Sequence, residues 1–186
     1  ANTVPGAVAG WGAAYDYATA EMESKLQWKE LLEHAICYAK EGFPVTASQE
    51  YWTNVNLDET DQEFRALQRF EEFARIFLKD GKPYQEGELL KQQDLGDTLA
   101  YIAEHGAQTF YNSELTEKIV QDVQAQGGLL TVEDFKAHKS DWVDPISVAY
   151  RDYTAYNLPP NTQGMASLSI LNILNHFDVA SIEEGS

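Results

Sequence analysis

The chain has 186 residues and a mass of 20.9 kDa, enough for one domain with a buried core, and 44% hydrophobic with 12% aromatic residues excludes general disorder. Lys and Arg number 13 against 30 Asp and Glu, a net charge of −17, and so acidic a surface argues against nucleic-acid and anionic-membrane partners. No apolar run approaches the roughly 18 residues of a membrane span.

Residues 1–12 are rich in Gly and Ala around Pro5, and Gly6, Gly10 and Gly12 suit close backbone packing or a tight lead into a first helix. A phosphate loop is not supported, because no strand pattern precedes these glycines and no Lys-Ser/Thr follows. Ala1-Asn2-Thr3-Val4-Pro5-Gly6 has neither an initiator Met nor a basic region leading to an apolar stretch, so it does not read as a signal peptide. An excised fragment is the expected origin. From Trp28, the residues Leu31, Leu32, Ala35, Ile36 and Ala39 fall on one helical face, and Gly42 before Phe43-Pro44 predicts its stop. The lone thiol, Cys37, is expected to be a small buried hydrophobe; alone it makes neither an internal disulfide nor a thiolate zinc site. Thr46-Ala47-Ser48-Gln49 predicts a capping box that opens a short helix through Tyr51 and Trp52.

After an acidic break at residues 58–61, Phe64, Leu67, Phe70, Phe73, Ala74 and Phe77 predict an amphipathic helix whose Phe stripe is core. Asp80-Gly81-Lys82-Pro83 is a turn. Leu95, Leu99, Ile102 and Ala103 predict a helix closed by Gly106, and Leu115, Ile119, Val120 and Val123 another closed by Gly127-Gly128. Thr131-Val132-Glu133-Asp134 starts a short helix with Thr131 as its cap. Beyond Trp142 the period changes: Ile146, Val148 and Tyr150, then Tyr153, Ala155 and Tyr156, flank Arg151-Asp152 and predict a β-hairpin over residues 146–157. Pro159-Pro160 stops it. From Met165, the residues Leu168, Ile170, Leu171, Ile173 and Leu174 are apolar nearly all round and predict a buried helix, with Asn172 and Asn175 as polar exceptions. The expectation is a mainly α fold with at least five helices and one β-hairpin, a single segment over residues 1–186 without an internal linker or repeat. Phe64, Phe70, Phe73, Phe77, Leu168, Leu171 and Leu174 are its expected core.

Chemistry is sparse. His34, His105, His138 and His176 have no partner at ligand spacing, and there is no Cys-x-x-Cys or acidic calcium loop, so neither a metal nor another cofactor is expected. Acidic pairs such as Glu71-Glu72 fall on polar helix faces and read as solvated surface rather than an acid/base pair. No Gly-x-Ser-x-Gly elbow supports a serine triad. Two loops stand out. Asp141-Trp142-Val143-Asp144-Pro145 precedes the hairpin and reads equally as a plain turn. In Pro159-Pro160-Asn161-Thr162-Gln163-Gly164, between strand and helix, the amides at the helix start suit a ligand carboxylate, or Asn161 or Thr162 simply caps the helix.

The order of several blocks carries a resemblance. Thr3-Val4-Pro5-Gly6-Ala7-Val8-Ala9-Gly10-Trp11, Ala39-Lys40-Glu41-Gly42-Phe43-Pro44-Val45, Gly81-Lys82-Pro83-Tyr84, Ile102-Ala103-Glu104-His105-Gly106 and Gly127-Gly128-Leu129-Leu130-Thr131-Val132-Glu133-Asp134 follow one another. Pro145-Ile146-Ser147, Tyr150-Arg151, Leu158-Pro159-Pro160 and Ile170-Leu171-Asn172-Ile173-Leu174 come after them. Together they resemble the central segment of the large subunit of the γ-glutamyltranspeptidase family, over roughly residues 3–179.

The resemblance implies a helical part of an αββα N-terminal-nucleophile hydrolase sandwich, in an enzyme of glutathione metabolism. Its precursor cleaves itself, and the new N-terminal Thr of the small subunit attacks a γ-glutamyl or related amide with its own α-amine as base. Water or an amine then takes the acyl group. The implied partners are that small subunit and an amide or γ-glutamyl small molecule. The family's self-cleavage pattern has no counterpart in residues 1–186, and its substrate-carboxylate arginine lies upstream of the Val-Pro-Gly block. Arg151 corresponds instead to a structural Tyr-Arg pair, so no catalytic residue is assigned. Asn161, Thr162, Gln163 and Gly164 are the substrate-proximal candidates. The loop Leu158-Pro159-Pro160-Asn161-Thr162-Gln163-Gly164 departs from the Pro-Pro-Pro-Ser-Ser-Gly-Gly-like form of transpeptidases proper and is similar to the acylase and oxamate amidohydrolase branch. Three classes stay open: part of an amidohydrolase or γ-glutamyl transferase, a non-catalytic helical interaction domain, and a small-molecule binding module using this loop.

Overall fold

The structure, a computed structural model, describes residues 3–57 and 70–183, and the chain divides into two compact units between Lys139 and Ser140. In the first unit, α1 (Ala7–Glu21), α2 (Trp28–Glu41), β1 (Phe43–Pro44), α3 (Ala47–Leu57), α4 (Glu71–Phe77), β2 (Leu78–Lys79), β3 (Lys82–Pro83), β4 (Leu89–Leu90), α5 (Gln93–His105), α6 (Glu114–Ala125) and α7 (Val132–Ala137) follow in order. The strands only pin loops: β1 pairs with β4 and β2 with β3, both antiparallel. Asp80 and Gly81 make the β2–β3 turn with φ of 53° and 76°, the left-handed pair that a two-residue hairpin needs.

Val8, Ala9, Leu32, Ile102, Tyr111, Val120 and Phe135 form the core of this unit. α2 and α5 meet where Gly96 has no side chain, since a β-carbon there would lie 3.3 Å from Ala39 Cβ and 2.5 Å from Lys40 Cγ. Trp28 Nε1 ties the same pair by donating to the Ile102 carbonyl at 2.9 Å. Gly12 serves α1 likewise, because a β-carbon would come within 2.9 Å of Ala107 Cβ.

The start of α1 is capped from far away. Its N-cap, Gly6, has no side chain to offer, yet the first amides of a helix lack intrahelical acceptors. The hydroxyl of Tyr111 accepts the Ala9 N–H at 2.9 Å and donates to the Pro5 carbonyl at 2.7 Å. Burial raises the Tyr111 phenol above its ordinary value, and the Ala9 N–H opposes this. The His138 ring stacks on Tyr111 at 5.2 Å and sits 3.3 Å from where a Gly6 β-carbon would be.

Local caps follow the sequence more directly. Thr46 Oγ1 accepts the Gln49 N–H at 3.2 Å and opens α3. Thr131 Oγ1 accepts the Asp134 N–H at 3.2 Å, and Asp134 accepts in return from the Thr131 hydroxyl and N–H. The hydroxyl, then the N–H, holds the Asp134 carboxyl below its usual range. α6 is entered through Ser113, whose N–H donates to the wholly buried Thr116 hydroxyl at 3.0 Å.

Three expectations need correction. Cys37 is exposed, because Leu32 and Ala39 take the buried side of α2 and Cys37 projects about 100° away from Ile36. Phe70 is 46% exposed: it is the extended N-cap of α4 and so does not share a stripe with Phe73 and Phe77, whose rings meet at 5.3 Å. Phe73 and Phe77 are half-buried. Phe64 and Leu67, with the break at residues 58–61, lie outside the described residues.

The third correction belongs to the second unit, where β5 (Ile146–Tyr150) and β6 (Tyr153–Asn157) form the expected hairpin, with Tyr150 opposite Tyr153 and Ile146 opposite Asn157. α8 (Gly164–Leu174) packs along it. Leu168 is buried and Leu171 and Leu174 are half-buried, but Met165, Ile170 and Ile173 are more than half exposed. α8 is therefore not buried all round. One face lies on the hairpin, and its apolar opposite face has no cover among the described residues.

Candidate functional site

The loop between β6 and α8 is held by the chain on both sides of it. Asn157 Oδ1 accepts the Leu158 N–H at 2.8 Å where β6 ends ahead of Pro159-Pro160, a contact with the very next residue that no sequence signal marks. The Pro160–Asn161 peptide is cis. Thr162 Oγ1 donates to the carbonyls of Leu158 and Pro159, both at 3.1 Å, and accepts the Gly164 N–H at 3.1 Å. Gly164 is buried, and a β-carbon on it would lie 2.1 Å from the Leu158 carbonyl oxygen. Only glycine lets the helix start so close to the end of the strand.

The four candidate residues thus differ in what they offer. Thr162 and Gly164 fasten the loop. Asn161 and Gln163 are exposed, and neither side chain hydrogen-bonds to another described residue. The amides of Met165 and Ala166 lie in the first turn of α8, where no intrahelical acceptor exists. This arrangement offers a small anion or carboxylate backbone donors flanked by two amide side chains. Its one hydroxyl, that of Thr162, is engaged within the loop, and none of residues 157–166 is His, Lys, Asp or Glu.

Arg151 is held elsewhere. At φ 55° in the hairpin turn, it donates through Nη2 to the Phe177 carbonyl at 2.7 Å, and its guanidinium sits 5.4 Å over the Tyr150 ring. Asn175 completes this clasp by donating to the Ala149 carbonyl at 2.6 Å. In the other candidate loop, residues 141–145 are exposed and have neither helix nor strand.

His34 and His176 are exposed, His105 packs on Tyr101 at 4.5 Å and His138 on Tyr111. Among the described residues no three His, Cys, Asp or Glu side chains gather in a way that suits a metal ion. Grooves open on the first unit among the described residues. One of about 640 Å³ runs past Val4, Gly128, Leu129, Asp134 and His138, and His138 Nε2 is buried there without a hydrogen-bond partner among the described residues. Another, of about 660 Å³, is walled by Trp11, Tyr15, Trp28, Leu31 and Leu99. Leu31 and Leu95, on the predicted inner faces of α2 and α5, are 49% and 44% exposed and line it.

Comparison with known proteins supplies the context that the site lacks. The family model described as gamma-glutamyltranspeptidase matches residues 1–186. A glutathione hydrolase-like YwrD proenzyme of Bacillus subtilis is 39% identical over 186 residues, 100% of this chain and 33% of that protein. An oxamate amidohydrolase proenzyme of Klebsiella pneumoniae is 33% identical over 184 residues, 99% of this chain and 34% of its own length. Among solved structures, the Helicobacter pylori gamma-glutamyltranspeptidase superposes with a TM-score of 0.80 at 27% identity, covering 98% of this chain and 50% of that one. The chain spans about a third of the length of these curated relatives.

Proposed function

Because the chain belongs to the γ-glutamyltranspeptidase family, we propose that it is a scaffold segment of an amide hydrolase or acyltransferase whose nucleophile lies outside residues 1–186. The family match over the whole chain carries this reading. The chemistry is acyl transfer from a γ-glutamyl or related amide. A chain-terminal Thr attacks the carbonyl, its free α-amine takes the proton, and water or an amine releases the acyl group. No internal Thr can replace it, because an internal residue has no free α-amine. The nucleophile comes from a small subunit produced when the precursor cleaves itself; that relatives of the chain are named proenzymes supports this.

Within that enzyme, the first unit is a rigid support. The second contributes the loop of Asn161, Thr162, Gln163 and Gly164, with its helix-start amides turned to the acyl group's carboxylate. The loop favours a second reading of the substrate: Asn161-Thr162-Gln163 replaces the Ser-Ser-Gly-like stretch of transpeptidases, and a relative sharing 33% identity is named an oxamate amidohydrolase, so a short amide acid is the alternative to a γ-glutamyl group. The deciding assay is amide hydrolysis by the purified 186-residue chain beside a longer precursor, with γ-glutamyl anilide and oxamate as substrates. The chain alone stays at background, and the precursor cleaves itself and turns over one of the two. Turnover by the chain alone, surviving extensive purification, would overturn the proposal.

A further inference from the structure

We draw no further inference here: the strongest candidate, the apolar groove of about 660 Å³ walled by Trp11, Tyr15, Trp28, Leu31 and Leu99 between α1, α2 and α5, has nothing in the structure to show what covers it.

Discussion

Thr116, wholly buried, donates its hydroxyl to the carbonyl of Phe110 at 3.0 Å and accepts the N–H of Ser113 at the same distance. One side chain thus joins the end of the 3₁₀ turn Ala107–Phe110 to the start of α6. Replacing it with Val keeps the shape but leaves the part-buried Ser113 N–H and Phe110 carbonyl without this partner, which costs about 1–3 kcal/mol. Thr116→Val should lower the urea midpoint of the chain with little change in the slope, and Thr116→Ser, which keeps the hydroxyl, should lose less. An unchanged midpoint in Thr116→Val would mean that water reaches these groups.

Tyr111→Phe removes the remote cap of α1 and leaves the Ala9 N–H without an acceptor, again costing about 1–3 kcal/mol. It also carries a pH signature. Burial raises the phenol above its ordinary value of 10.0 in the folded chain, so the folded state holds this proton more tightly than the unfolded state. The stability that follows is complete below the ordinary value and is lost as pH rises through the folded one. Chemical denaturation from neutral pH to about pH 11 should show wild type losing more stability than Tyr111→Phe. Parallel losses in the two proteins would remove Tyr111 as the cause.

Two glycines should respond in opposite directions. Gly164→Ala drives a β-carbon into the Leu158 carbonyl and should destabilise the hairpin and α8 by about 1–3 kcal/mol or more. Gly10 lies inside α1, and nothing lies within 4 Å of where its β-carbon would be. Gly10→Ala should therefore stabilise by about 0.5–1 kcal/mol through helix propensity. Thermal melts of both variants check the pair.

The exposed side chains of the loop separate binding from folding. Asn161→Ala and Gln163→Ala should leave stability within about 0.5 kcal/mol, as surface changes without partners do. In the assembled enzyme they should raise KM for the acyl substrate with a smaller effect on kcat. Thr162→Val should behave differently, destabilising α8 by about 0.5–2 kcal/mol through its lost cap. If Asn161→Ala and Gln163→Ala both leave KM unchanged, the loop is a helix start and nothing more.

Much of the fold was legible because helical period and cap chemistry are local. The α6 face of Leu115, Ile119, Val120 and Val123 and the Thr131–Asp134 cap both appear as their spacing predicts. Period reports which side of a helix is apolar, however, and not what covers it. That is why α8 reads as buried while Met165, Ile170 and Ile173 are exposed, and why Leu31 lines an open groove. Long-range polar pairs leave no local trace either: nothing near Tyr111 signals a bond to Ala9, 102 positions away. The candidate loop was legible as a helix start, but its two prolines, Asn157 and Gly164 disclosed their joint geometry only in three dimensions. The proposed reaction was legible only through family resemblance, because no catalytic motif stands out among these residues.

The cap on α1 also sets an order of events during synthesis. Ala9 and Tyr111 are separated by 102 positions, and ribosomes add roughly 5–20 residues each second. The first helix, carrying Gly10 and Gly12 and lacking a cap of its own, therefore waits on the order of 5–20 s for its acceptor to be made. At 15 residues, a helix of this length is marginal in isolation even with many alanines. The cap of α1 is therefore complete only once the chain beyond Tyr111 has been made and has folded back onto Ala9.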